Sequence, residues 1–411
     1  MGSQRARPIC RIVPSASTVR RGRRRGRISL ARRDSEGRFP RERRRRSARV
    51  NRYRVPRVES AVRRAILLLA AALAARANAG TATPPSSPPI EALHAAAAYS
   101  AAREGISFLV LVEGRVVFED YPNGGAATRP HELASGTKSF SGVMAAAAVK
   151  DGLLRLDERV VDSISEWRVD PRKAKVTVRQ LLSLTSGVKT GGERGRVPTY
   201  ADAVAAPLAD APGQRFSYGA VPFQVFGEVM RRKLAPRGEG PLEYLRRRVL
   251  DPIGLSAGRW RRGVDGNPHL PSGAALTARD WAKLGELVRL GGRRNGVALL
   301  DPEALDACFE GTAANPRYGL SWWLNRPIDR PLALSIPVLR RNAASLWEVP
   351  GVPRDLVFAA GAGDQRLYVS RGRSLVVVRQ AKGILRALRG ERTGFSDAAF
   401  LGLLLAPPSG P

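Results

Sequence analysis

Apolar and polar positions follow different periods along this chain, and the changes of period mark its parts. From Ile90 to Arg103 the apolar residues recur at helical spacing. Ser107 to Tyr121 holds two β-rich runs on either side of Glu113-Gly114, which predicts a hairpin. The middle, about 152–268, reads as helical pieces between loops, among them Thr177 to Leu184, Phe223 to Leu234 and Leu242 to Leu250. Thr277-Ala-Arg-Asp280 has the form of a helix start with Thr277 as cap, and Trp281, Leu284, Leu287 and Val288 follow at helical spacing. Strand patterns return at Leu356 to Ala360, Arg366 to Ser370 and Leu375 to Arg379, the last two joined at Arg371-Gly372-Arg373. A helix from Ser396 to Leu405 closes the pattern. No internal repeat is present. Strands at both ends of a helical middle predict an α/β fold of the α+β type, an antiparallel sheet flanked by helices with a mostly helical insertion.

Ahead of these elements the pattern fails. Residues 1–64 hold few large apolar side chains and runs such as Arg43-Arg44-Arg45-Arg46, a composition that buries too little surface to offset chain entropy. Residues 65–79 are different. Arg63-Arg64 precedes an apolar run from Ala65 to Ala75, and Ala77-Asn78-Ala79 supplies a small-residue cleavage site, the layout of an export signal. The twin arginine also permits the twin-arginine route. Residues 80–90, rich in Pro and Ser, read as a linker to a main domain at 91–395, with 396–411 as terminal helix and tail. The expected mature protein is therefore periplasmic or extracellular. It lacks the arginine-rich segment and has no stable membrane anchor, since no apolar run reaches the roughly 20 residues of a spanning helix.

Charge changes the picture less than its total implies. The 411 residues carry a net +33, but residues 1–64 hold 23 Arg and 4 acids, so +19 belongs to them and +14 to the rest. A nucleic-acid-binding arm is the rival reading of that segment; it requires the arm to persist in the mature protein. Two cysteines exclude a disulfide-dense scaffold, and His94, His131 and His269 are too dispersed to predict a metal site. No cofactor is expected, because no glycine-rich phosphate loop occurs.

Candidate chemistry concentrates at Ser135-Gly-Thr-Lys138, followed at once by an alanine-rich helical stretch to Lys150. On one helical turn Lys138 lies on the same face as Ser135, three residues on. A serine becomes a nucleophile when a neighbouring base takes its proton, and a lysine is such a base only when burial favours its neutral form. A second Ser-x-x-Lys, Ser186-Gly-Val-Lys189, runs into Thr190-Gly-Gly and reads as a turn. No Gly-x-Ser-x-Gly elbow is present. His131 and His269 read as structural.

The chain resembles the serine beta-lactamase superfamily, on the branch of class C beta-lactamases, D-alanyl-D-alanine carboxypeptidases, related esterases and aminohexanoate-oligomer hydrolases. Leu133-Ala-Ser-Gly-Thr-Lys-Ser-Phe140 matches the nucleophile helix. Asp151-Gly-Leu-Leu-Arg-Leu-Asp157, Val178 to Gly187 and Pro212-Gly-Gln-Arg-Phe-Ser-Tyr218 follow in the family's order, as do Tyr318 to Trp323 and Gly361-Ala-Gly-Asp-Gln365. The resemblance implies that Ser135 forms an acyl-enzyme, that Lys138 is its base or proton relay, and that Tyr218 is a second base. It implies an oxyanion hole from the backbone N–H groups of Ser135 and Ala362, with Gly361 and Gly363 near the substrate. Trp322-Trp323 reads as a pocket lining in which alternation sends one ring to the core and one to the other face, and Trp322 is the substrate-side candidate.

Two departures bear on substrate. The family's Tyr-x-Asn is here Tyr218-Gly219-Ala220, and its Lys-Thr-Gly strand is replaced by Ala360-Gly361-Ala362-Gly363. Lys189-Thr190-Gly191 occurs far too early to be that strand. The expectation is a serine hydrolase acting on a small-molecule ester or amide without a strict need for a substrate carboxylate. A binding protein on the same scaffold is the alternative. Arg366 either compensates for the missing cation or points to solvent.

Overall fold

The computed structural model describes residues 87–191, 196–341 and 346–405. The arginine-rich segment, the export signal and the linker as far as residue 86 lie outside the described residues.

Helix α1 (Ile90–Ala101) leads into strands β1 (Gly105–Val112) and β2 (Arg115–Asp120). Glu113 and Gly114 between them take φ of 53° and 79°, the left-handed pair that a two-residue hairpin turn needs. Next come β3 (His131–Glu132), a 3₁₀ turn (Ala134–Lys138) and α2 (Ser139–Lys150). The helical middle holds α3 (Val178–Leu182), α4 (Tyr200–Ala205), α5 (Val221–Leu234) and α6 (Pro241–Leu245). Then follow β4 (Arg259–Trp260), β5 (Ala274–Leu276), α7 (Ala278–Arg289), β6 (Arg293–Arg294), β7 (Val297–Ala298) and α8 (Pro302–Ala307). The last part runs β8 (Trp323–Leu324), α9 (Arg330–Ser335), α10 (Pro337–Arg341), β9 (Val357–Gly361), β10 (Gln365–Ser370), β11 (Leu375–Ala381), α11 (Ile384–Arg389) and α12 (Asp397–Leu405).

Six strands form one antiparallel sheet in the order β2-β1-β11-β10-β9-β8, so the N-terminal hairpin pairs with the last strand of the chain. β1 and β11 are covered on both faces, which is why their sequences are almost continuously apolar. Leu109, Leu111, Leu367, Val376 and Val378 join the larger core, with α7 and the helical middle. Phe108, Val110, Tyr368 and Val377 join the second core, with Leu93 of α1 and Phe400, Leu401 and Leu404 of α12. Helix α7 lies close on the sheet because Gly285 has no side chain. A Cβ there would stand 2.6 Å from Val376 Cγ1.

Helix starts follow the sequence closely. Thr277 caps α7 by accepting from the Asp280 N–H at 3.0 Å, and Thr177 forms a reciprocal capping box with Gln180 on α3. Helix ends diverge more. The helix expected through Leu184 stops at Leu182, and Leu184 takes a φ of 61°. The helix expected from Leu242 to Leu250 is α-helical only to Leu245, then widens into a π turn over Arg246–Leu250.

The second core encloses a charged cluster. Arg366 and Arg379 lie directly opposite one another on β10 and β11. Asp397, the first residue of α12, accepts from Arg366 Nε at 2.6 Å and Nη2 at 3.0 Å, and from the Tyr368 hydroxyl at 2.5 Å. Arg379 donates to Ser100 Oγ and to the carbonyls of Asp364 and Arg103, and burial pulls its guanidinium down to about 10. Burial opposes the charge on Asp397, yet Arg366 and Tyr368 outweigh it and hold the carboxyl below its ordinary value. A depressed carboxyl contributes stability above its unfolded value, about 3.9, and that contribution is lost as pH falls through the lower folded value. Breaking one partner of such a pair costs about 3–5 kcal/mol. Urea unfolding should therefore show Asp397→Asn less stable than the wild type by this order at pH 7, with the gap narrowing below about pH 4.

Candidate active site

Ser135 and Lys138 sit on the 3₁₀ turn that precedes α2, not on the helix itself. In a 3₁₀ turn residues i and i+3 eclipse, which stacks the lysine over the serine more directly than an α-helical turn would. Lys138 Nζ donates to Ser135 Oγ at 2.9 Å and to the Pro271 carbonyl at 3.2 Å. The lysine is 4 % exposed, so the amine works out of bulk water. Aromatic faces lie near it: Nζ is 4.8 Å from the Tyr218 ring centroid and 5.6 Å from that of Phe223 on α5.

The turn is held from several sides. Ala134, buried immediately before the nucleophile, takes a φ of 45°, a left-handed conformation costing a non-glycine residue about 1–3 kcal/mol. Leu133 N–H donates to the Ala274 carbonyl of β5, and Ala274 N–H donates back to Thr137 Oγ1. Thr137 Oγ1 in turn donates to the Ala134 carbonyl at 2.8 Å. Gly136 rests on Trp281, where a Cβ would stand 2.8 Å from the indole ring. On the other side Gly361, the last residue of β9, meets the turn so closely that a Cβ would lie 2.0 Å from the Leu133 carbonyl oxygen.

Tyr218 is half-buried and stacks on Trp323 at 5.7 Å between centroids with a 27° tilt. Phe216, Tyr318 and Phe358 extend the aromatic wall. The wall corrects one expectation. Trp322 is fully buried, edge-on to Phe309, while Trp323 is the indole packed against Tyr218. Consecutive strand residues point to opposite faces, and the sequence did not say which indole faced the site.

The segments set aside have structural roles. Ser186 is 1 % exposed and its Oγ accepts from the Val188 N–H at 3.3 Å inside a turn, while Lys189 is exposed. Thr190 packs over Gly219 and donates to the Tyr218 carbonyl at 3.3 Å, so the early Lys-Thr-Gly segment buttresses the tyrosine's backbone. His131 binds the Ala381 carbonyl through Nε2 at 2.8 Å, and burial lowers the pKa of both His131 and His269. Arg366 does not point to solvent, and its guanidinium is taken up by protein groups, among them the Gly361 carbonyl at 3.3 Å. It is 6 % exposed and engaged by Asp397. Pro271 and Phe223 left no signal in the sequence, since one contributes a carbonyl and the other reads as core.

Chemically, the arrangement places a hydroxyl in contact with a buried amine at the start of a helical turn. Among the described residues no group of three or more His, Cys, Asp or Glu side chains could hold a metal ion. Among them, too, no helix is long and apolar enough to cross a membrane.

Comparison with known proteins bears on the family and the fold. The beta-lactamase family profile matches residues 90–383. The fold is similar to that of a family VIII carboxylesterase, with 18% identity, 78% of this chain and 97% of the other covered, and a TM-score of 0.56. A penicillin-binding protein homologue from Caulobacter crescentus gives 18%, 77%, 99% and 0.54 in the same terms. A hydrolase with promiscuous acyltransferase activity gives 16%, 76%, 97% and 0.54. No curated protein matches the sequence. With a profile spanning most of its length and a Ser-x-x-Lys pair in contact at the start of its central helix, the chain belongs to the beta-lactamase family.

Proposed function

We propose that the protein is a serine hydrolase that cleaves a small ester or amide through an acyl-enzyme on Ser135. The observation that carries this reading is the 2.9 Å contact between Ser135 Oγ and the buried Lys138 Nζ. With the amine neutral the contact reverses direction: the hydroxyl donates, its proton passes to Nζ, and Oγ adds to the substrate carbonyl. Collapse of the tetrahedral adduct releases the alcohol or amine, which takes up the proton. A water then adds to the acyl carbon, losing its proton to the Lys138–Tyr218 pair; this second adduct collapses, the bond from the acyl carbon to Oγ breaks, the carboxylic acid leaves and Oγ takes the proton back. Developing negative charge on the carbonyl oxygen is met by the Ser135 N–H and by the Ala362 N–H at the end of β9. The close approach of Gly361 to residues 133–136 supports this pairing.

Substrate preference follows from what the strand end lacks. Alanine stands at 359, 360 and 362, and the neighbouring Arg366 is engaged by Asp397, so a substrate carboxylate gains no cation from this strand end. The aromatic wall at Tyr218 and Trp323 favours an apolar group instead. An ester or simple amide fits better than a penicillin-type anion.

Four outcomes test the reading. A fluorophosphonate probe should label Ser135, with labelling abolished in Ser135→Ala, nearly abolished in Lys138→Met and retained in Ser186→Ala. Tyr218→Phe should lower turnover of p-nitrophenyl esters by about 10²–10⁴-fold, the usual worth of general-base assistance. Gly361→Ala inserts a Cβ where the Leu133 carbonyl stands, pushing β9 off the nucleophile turn. It should slow labelling by about 10²-fold, the scale of an ångström's misplacement. For export, which the same reading includes through residues 65–79, N-terminal sequencing of native protein should begin at Gly80.

A further inference from the structure

Arg366 faces away from Ser135, yet it binds the same peptide unit that the reaction is proposed to use. Its Nη1 donates to the Gly361 carbonyl at 3.3 Å and to the Gln365 carbonyl at 3.1 Å, while Nε and Nη2 grip Asp397. The Gly361 C=O and the Ala362 N–H belong to one planar trans amide, so they point in opposite directions. Holding the oxygen therefore aims the N–H. A cation on the oxygen also draws electron density through the amide and strengthens the N–H as a donor.

The rest of the turn is fixed around this contact. Gln365, fully buried, donates through Nε2 to the Gly363 and Ala381 carbonyls at 2.8 Å each and accepts from the Ala381 N–H at 3.0 Å. Asp364 takes a φ of 61°, its carbonyl bound by Arg379 and its carboxylate by Thr393. Gly363 lies against Ile384, where a Cβ would stand 2.3 Å from the Ile384 N atom. The peptide between Gly361 and Ala362 is thus bound by a guanidinium that is itself fixed by the first residue of α12.

We infer that Arg366, oriented by Asp397, is a positioning residue that aims and polarises the Ala362 N–H toward the oxyanion, coupling the C-terminal helix to the chemistry at Ser135. This rests on the proposed acyl-enzyme mechanism. It extends it to a residue on the far side of the sheet that touches no substrate.

The test compares Arg366→Gln, Arg366→Lys and Tyr368→Phe with the wild type on a p-nitrophenyl ester and its thionoester analogue, alongside fluorophosphonate labelling of Ser135. Sulfur accepts hydrogen bonds weakly, so the thionoester reports whether a loss runs through the oxyanion site. Removing a whole donor costs about 10²–10³-fold in turnover, so a misaimed donor should cost about 10- to 100-fold. Arg366→Gln should lower kcat on the ester by this factor, with KM changed less than about threefold and a smaller loss on the thionoester. Arg366→Lys, which keeps a cation, should recover part of the loss. Tyr368→Phe removes a contact to Asp397 without touching the Gly361 carbonyl and should stay near wild type. If wild-type Ser135 labels normally and Arg366→Gln retains full kcat, or loses equally on both substrates, the inference fails alone. If turnover persists in Ser135→Ala, the inference falls together with the mechanism.

Discussion

A buried amine held against a serine hydroxyl is the contact around which this molecule is arranged. Neither group reaches that position by itself. An exposed lysine would be solvated and mobile, and a serine on a regular helix would not have the eclipsed partner that a 3₁₀ turn supplies. The turn carries a left-handed alanine, which surrounding structure must hold in place. That structure comes from distant parts of the chain: β5 through two hydrogen bonds, α7 through Trp281, and β9 through the contact at Gly361. The helical middle adds Phe223, and the connection between β4 and β5 adds the Pro271 carbonyl.

The two faces of the sheet do different work. One carries the larger apolar core beneath α7 and the helical middle. The other carries the terminal helices and a buried set of arginines and acids whose charges offset one another. Such ion clusters add little net stability over an apolar replacement. Their value lies in direction: each guanidinium here fixes backbone carbonyls on the turn between β9 and β10 or on the segment after α1.

Much of this organisation was legible in the sequence because periodic patterns and capping residues are local. The β1–β2 hairpin, the Thr277 cap and the strands at the end of the chain lie close to where alternation and turn residues put them. Ser135 and Lys138 were legible because spacing alone brings them together, and Ser186 was set aside because the glycines after it break a helix. What stayed hidden depends on tertiary contact. Trp322 and Trp323 are indistinguishable until the register of β8 against β9 is known. Pro271 contributes only a carbonyl, which any residue has. Arg366 offered two readings, site or solvent, and the actual partner lies 31 residues further along the chain at Asp397.

The sheet order also dictates a sequence of events in time. β1 pairs with β11, and the Ser107–Gln380 bond joins residues 273 positions apart. During synthesis the N-terminal hairpin therefore emerges long before its partner. Until β11 leaves the ribosome, β1 presents a row of unpaired amides and a strongly apolar strand, a template for pairing with other chains. Contacts of such long range also slow folding. A nascent or truncated chain that ends before Leu375 thus carries the β11-facing edge of β1 uncovered, a hazard that the stability of the finished fold does nothing to remove.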